Sequence, residues 1–166
     1  MSLGMYQPPR LPADRTHRAD ETMALGSAGG AQQIDVARRL QSLRAGNMDV
    51  ALRGIEALGR MPRVALYTLA EPGPETEAQR SLLARYAGGR LWLPGAAFFD
   101  TKATDPDHRT GWSLLREHLQ GQYADGVVAL SRGSISSSDD AYERQLRLVG
   151  ERRHFVALVH TETGRA

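Results

Sequence analysis

The chain has 166 residues, 41% of them hydrophobic, enough for one sizeable core and hardly for two. Its 21 basic and 19 acidic residues leave a net charge of +2, and this is spread evenly, so no basic block exists to neutralise a run of phosphates. Zero cysteines exclude disulfides, thiolate metal sites and cysteine nucleophiles, and no apolar run suits a membrane span or a signal peptide, so a soluble cytoplasmic protein is expected.

Residues 1–31 are rich in Pro, Gly, Arg, Thr and Ala with few large apolar groups, a composition that buries too little surface to offset ordering entropy. They are expected to form a disordered arm. Residues 32–61 carry two helical patterns. Ile34, Ala37, Leu40 and Leu43 recur at helical spacing before Gly46, and Leu52, Ile55 and Leu58 recur before Gly59, which predicts an antiparallel helical hairpin. Arg38, Arg39, Arg44 and Arg53 would lie on its solvated faces, or on phosphates if the pair were a helix-turn-helix DNA reader.

Residues 62–166 change pattern. Val64 to Leu69 is an apolar run suited to a buried strand, followed by the turn Glu71 to Pro74 and a helix over about Glu75 to Tyr86. A second strand is expected at Ala96 to Phe99, after the Pro94-Gly95 break, and a helix near Trp112 to Leu119. A strand at Gly126 to Leu130, a helix at Asp139 to Val149 and a strand at Phe155 to Val159 complete the series. Strands alternating with helices argue for an α/β domain of three layers, with a mostly parallel central sheet.

Ligands of such sheets bind at the carboxyl ends of the strands. Those ends gather the Leu69 to Glu71 turn, Asp100 with its following loop, and Ser131 to Ser134. No glycine-rich phosphate fingerprint follows a strand, so no nucleotide cofactor is expected. Asp105, Asp107 and His108 offer metal-ligating groups on a single loop, which reads as a solvated turn, and no metal is expected. Ser134 and Ser137 are weak nucleophile candidates, since a serine needs a neighbouring base. Ser137 followed by Asp140 also reads as a helix cap. His118, His154 and His160 are separated and read as core or surface residues.

Taken in order, Arg63 to Thr163 resembles the catalytic domain of the serine recombinases, the resolvase and invertase family. The matching pieces are Arg63 to Tyr67, the helix with Gln79 and Leu82 to Tyr86, Phe98-Phe99-Asp100, Arg109 to Trp112 opening a helix, and Gly126 to Leu130. The resemblance implies a largely parallel α/β fold, and a strand ending in Tyr-x-Arg-x-Ser, where Ser attacks a DNA phosphate and Arg stabilises it. Tyr67 matches, but Leu69 stands at the Arg position and Glu71 at the Ser position. Gly133 to Ser137 stand where the family has Asp-Arg-x-x-Arg, unless a shifted alignment uses Arg132. Arg109 is the phosphate-binding arginine that carries over. Family members continue into an interface helix and a DNA-binding domain, and this sequence ends at Ala166, so the usual reader is not expected.

The expected function is a catalytically degenerate recombinase-like module that binds a protein partner or a second copy, with DNA a weaker candidate and Tyr67, Glu71, Asp100, Arg109 and Arg132 as its binding residues. The alternatives are an active recombinase using a relocated Ser134 or Ser137, and a small-ligand module using Glu71, Asp100 and Arg109.

Overall fold

The computed structural model describes residues 18–164; residues 1–17 of the expected arm lie outside the described residues. The chain divides into two units, residues 1–34 and 35–166. Helix α1 (Arg18–Ala57) is continuous over 40 residues. This corrects two expectations: residues 18–31 are helical, and the hairpin of residues 32–61 does not form, which leaves no turn for a helix-turn-helix in that segment.

The physical reason lies in the phase of the buried stripe. Leu40, Arg44, Asn47, Ala51 and Ile55 recur every three or four residues straight through Gly46, and all are buried or half-buried. A turn at Gly46 would reset that phase. The glycine faces open space, so within the helix it costs about 1 kcal/mol relative to Ala and breaks nothing. Gly59 does end the helical stretch, accepting a left-handed φ of 67°.

Four strands, β1 (Arg63–Leu69), β2 (Leu93–Asp100), β3 (Gly126–Ala129) and β4 (Phe155–Leu158), pair in the order β2-β1-β3-β4. Every pairing is parallel, as the alternation of strands and helices predicts. The crossovers carry α2 (Pro74–Gly89), α3 (Thr110–Gln120), a short α4 (Arg132–Ile135) and α5 (Asp139–Glu151). Among the described residues no helix is long and apolar enough to cross a membrane.

Successive side chains of β1, β3 and β4 face opposite sides, so each of these strands feeds two cores. Ala65, Tyr67, Val127, Ala129, Val156 and Leu158 pack with α3 and α5 around Trp112, Leu115, Tyr142 and Leu146. Val64, Leu66, Val128, Phe155 and Ala157 pack with Leu83 and Ala87 of α2 and with Trp92. The α1 stripe serves both, Leu40 in the first cluster and Ala51 and Ile55 in the second.

Strand β2 starts earlier than expected, at Leu93, and contains Pro94 and Gly95. It is an edge strand, where a missing N–H facing outward costs no ladder bond, and a register shift opposite Val64 to Leu66 absorbs the irregularity.

Candidate functional site

In this strand order the chain leaves β1 toward β2 on one side and places β3 on the other. The carboxyl ends of β1 and β3 therefore flank the topological switch point where open sheets of this kind bind ligands. Tyr67 ends the run of buried β1 residues on the α3 side, and its ring meets Trp112 edge-on at 4.9 Å. Its hydroxyl donates to Asp100 Oδ2 at 2.8 Å. Burial pushes the Tyr67 phenol well above its ordinary pKa, and the bond to Asp100 adds to the shift against the opposing Arg109, so the hydroxyl keeps its proton.

Asp100, the last residue of β2, also accepts from the backbone N–H groups of Gly111 and Trp112, each at 2.8 Å. It thus caps α3 from another element, since the residue in the N-cap position, Arg109, makes no side-chain cap bond. Gly111 is required by the approach: a Cβ there would lie 2.0 Å from the Phe99 carbonyl oxygen.

Arg109 is 4% exposed. Its Nε donates to the Thr104 carbonyl at 2.8 Å, and its Nη1 donates to the Ser134 carbonyl at 2.8 Å and to the Tyr67 hydroxyl at 3.2 Å. One guanidinium thereby ties the β2–α3 loop, the end of β1 and α4 together across the switch point.

The other sequence-derived candidates stand apart from this network or join it by backbone only. Ser134 contributes its carbonyl to Arg109. Ser137 is exposed and contributes its carbonyl to Arg132 at 3.1 Å. Among the described residues no base is hydrogen-bonded to either hydroxyl. Glu71 is exposed in the turn before α2, where its carbonyl accepts from the Thr76 hydroxyl. Arg132 pairs with Asp139 at 2.7 Å and lies over the Tyr142 ring, 5.1 Å from its centre.

The helix cap expected at Ser137 is one residue later. Ser138 Oγ accepts from Ala141 N at 3.3 Å, with Asp139 and Asp140 in the first turn of α5. Ser138→Ala is expected to lower stability by about 1 kcal/mol in a urea titration, and Ser137→Ala to leave it unchanged.

Asp105 and Asp107 serve structure. Asp105 caps the short turn Pro106–His108, and Asp107 accepts from Gln145 and from Arg144 of α5, each at 2.8 Å. The Gln145 bond first, with Arg144 and Arg116, holds the Asp107 carboxyl below its ordinary range against its burial. No cluster of metal-ligating groups occurs among the described residues.

Two polar networks were missed by the sequence reading. Gln145 is fully buried and accepts from Trp112 Nε1 at 2.8 Å; a Gln between Tyr142 and Leu146 on the inner face of α5 was its available signal. Arg44, expected on a solvated face, is buried, and its Nε donates to Glu162 Oε1 at 2.7 Å, an atom that also accepts from the Tyr142 hydroxyl at 2.7 Å. Residues 118 positions apart carry no sequence signal of pairing.

No protein-family model matches the chain, and no curated protein matches it. Solved structures do. The chain is similar to the C-terminal catalytic domain of ISC1926 TnpA, an IS607-like serine recombinase, with a TM-score of 0.53 and 18% identity over 58% of this chain and 69% of that one. It is also similar to the N-terminal catalytic domain of TP901-1 integrase, with a TM-score of 0.52 and 19% identity over 60% of this chain and 78% of that one. The fold is therefore that of the serine recombinase catalytic domains.

Proposed function

We propose that this chain is a catalytically degenerate serine-recombinase-like domain, acting as a binding or regulatory module through protein contacts in a DNA recombination context. The observation that carries the reading is the use made of Arg109. The guanidinium that a recombinase would aim at a phosphate has its donors turned inward, onto Thr104 and Ser134 carbonyls and the Tyr67 hydroxyl, and is nearly without solvent contact. A phosphate would have to displace those bonds and desolvate itself.

The position of Glu71 supports the same reading. A carboxylate cannot perform the hydroxyl attack expected at that place in the motif, and at about 4 Å it would repel a phosphate by at least ~1 kcal/mol even in water. Loss of a nucleophile together with its electrophilic partners removes a transition-state clamp whose members act as a unit. The recombination context rests on the likeness to the two catalytic domains.

Incubation of the full chain with supercoiled DNA, followed by denaturing electrophoresis, is expected to give neither nicking nor a covalent protein–DNA adduct. An adduct, or cleavage abolished by Ser134→Ala or Ser137→Ala, would sink the proposal and establish a relocated nucleophile.

A further inference from the structure

We propose that the cleft at the amino end of the sheet, between the end of α1 and the turn from α2 into β2, docks a segment of a partner protein. The segment carries apolar side chains with an acidic residue at one flank and a basic one at the other. Such docking supplies the protein contacts of the proposed function and rests on that reading.

The path of the chain makes the cleft. Helix α1 ends at Ala57, Met61 and Pro62 lead into β1, and α2 turns through Arg90, Leu91 and Trp92 into β2. Between these connections lies a cleft of about 470 Å³, with Ile55, Met61, Pro62, Leu91 and Trp92 among its lining residues. That volume is in the ordinary range of binding pockets. Ile55 and Trp92 are buried, and the apolar surface continues outward into solvent. Met61 is 46% exposed, Leu91 73%, and Leu58, in the chain between the lining residues Glu56 and Gly59, 71%. Large apolar groups gathered in water in this way mark an interaction surface, which single exposed side chains do not.

The exposure of Leu91 has no reason within the fold. Leu91 N donates to Gly88 O and Trp92 N to Ala87 O, which closes α2 with a left-handed residue, a place that glycine fills at least cost. Leu91 holds a φ of 61° there. Gln122 and Arg153 take the same conformation and the same bonds after α3 and α5, and both are polar. At Leu91 alone among the three the chain accepts the backbone strain and sets an apolar side chain in water. Contact with a partner gives that side chain a use.

Charge selects the occupant. Arg60, which also lines the cleft, spends its guanidinium on both oxygens of Asp125, each at 2.7 Å. The Arg90 guanidinium instead lies 4.6 Å from the Tyr86 ring centre and 5.4 Å from that of Trp92, and among the described residues it has no acceptor. Already held by two rings, it loses little freedom in taking a carboxylate. Glu56, on the α1 bank, is exposed and has no ion pair among the described residues. The two banks thus offer opposite charges, which fix the direction of a segment with an acid for Arg90 and a base for Glu56. A nucleic-acid strand would bring phosphates to Glu56 as well as to Arg90.

The test titrates the isotope-labelled full chain with synthetic peptides that have a Leu- and Phe-rich centre between an acidic and a basic flank. Trp92 lines the cleft and Trp112 lies buried in the other core, so binding should shift the Trp92 indole resonance and leave that of Trp112. Arg90→Glu should weaken these peptides by at least about tenfold, and a peptide with bases at both flanks should bind that variant instead. Leu91→Gly should weaken binding by about fivefold while raising the melting temperature, because glycine takes the left-handed turn without strain. A side chain present for the fold alone would leave binding unchanged. No shift of Trp92 with any peptide, or binding indifferent to both substitutions, overturns the proposal. So does a Trp92 resonance moved by single-stranded DNA but by no peptide, or moved by dilution of the chain alone, which would put a second copy in the cleft. None of these outcomes touches the degenerate reading of the switch-point site, which the DNA-cleavage assay decides.

Discussion

Glu162→Ala is expected to lower the unfolding free energy by about 3–5 kcal/mol, because it strands a buried guanidinium. Arg44 is 5% exposed, and the Glu162 side chain has no solvent contact. The two make a bidentate pair, Nε to Oε1 at 2.7 Å and Nη2 to Oε2 at 3.1 Å, and the Tyr142 hydroxyl completes the set. Removing the carboxylate leaves Arg44 without its counter-charge and the Tyr142 hydroxyl without its acceptor. Replacing both ions by apolar groups, as in Arg44→Met with Glu162→Leu, is expected to recover the part of the loss due to the stranded guanidinium, while the Tyr142 hydroxyl still lacks its acceptor. Urea titrations of the single and double variants separate these outcomes, and equal losses in both would refute the account.

The same pair dictates a pH dependence. Burial alone would push the Glu162 carboxyl up, but the bonds from Arg44 and Tyr142 and the charge of Arg44 outweigh it and hold the group below its ordinary range. A depressed folded-state pKa stabilises the fold at pH above the unfolded value, and that stability is lost as pH falls through the folded value. Asp125, held down against its burial by Arg60 and Arg63, acts in the same sense. The protein should therefore lose stability on acidification through the carboxylate range. Glu162→Ala should show a shallower acid limb, which a series of urea midpoints between neutral and acid pH would reveal.

Asp100→Ala is the second large effect, at about 2–4 kcal/mol. Its carboxylate is the acceptor for three donors, the Gly111 and Trp112 amides and the Tyr67 hydroxyl. Loss of a helix cap costs about 1 kcal/mol, and a buried hydroxyl left without an acceptor adds about 1–3 kcal/mol. Asp100→Asn keeps one acceptor oxygen and should lose less. Thermal melts of the two variants rank them, and an Ala variant as stable as the parent would show that the α3 amides find other partners.

Asp100, Arg109 and Gly111 were legible as a motif before the structure, but their use was not. For Arg109 the motif reading pointed to a phosphate. In the fold Asp100 caps α3, Gly111 allows the Phe99 carbonyl to approach, and Arg109 binds carbonyls and a hydroxyl. Residue type tells which bonds a group can make, and only the path of the chain tells which partners are offered. Ser137 and Ser138 illustrate the smaller scale: either can cap a helix, and the entry of the chain into α5 chose Ser138.

By itself the sequence determined the α/β class, the existence of all four strands and the parallel sheet, because short apolar runs alternating with amphipathic helices have few other ways to bury both faces of each strand. It also contained the continuity of α1, in the unbroken phase of Leu40, Arg44, Asn47, Ala51 and Ile55, although Gly46 and the charge at Arg44 hid it. The tertiary structure alone decided where the arginines spend their donors. Arg109 turns onto backbone carbonyls and Arg44 onto a carboxylate far along the chain, since a guanidinium out of water takes whatever acceptors the assembled elements bring within hydrogen-bond reach, and that proximity exists only once the chain has folded.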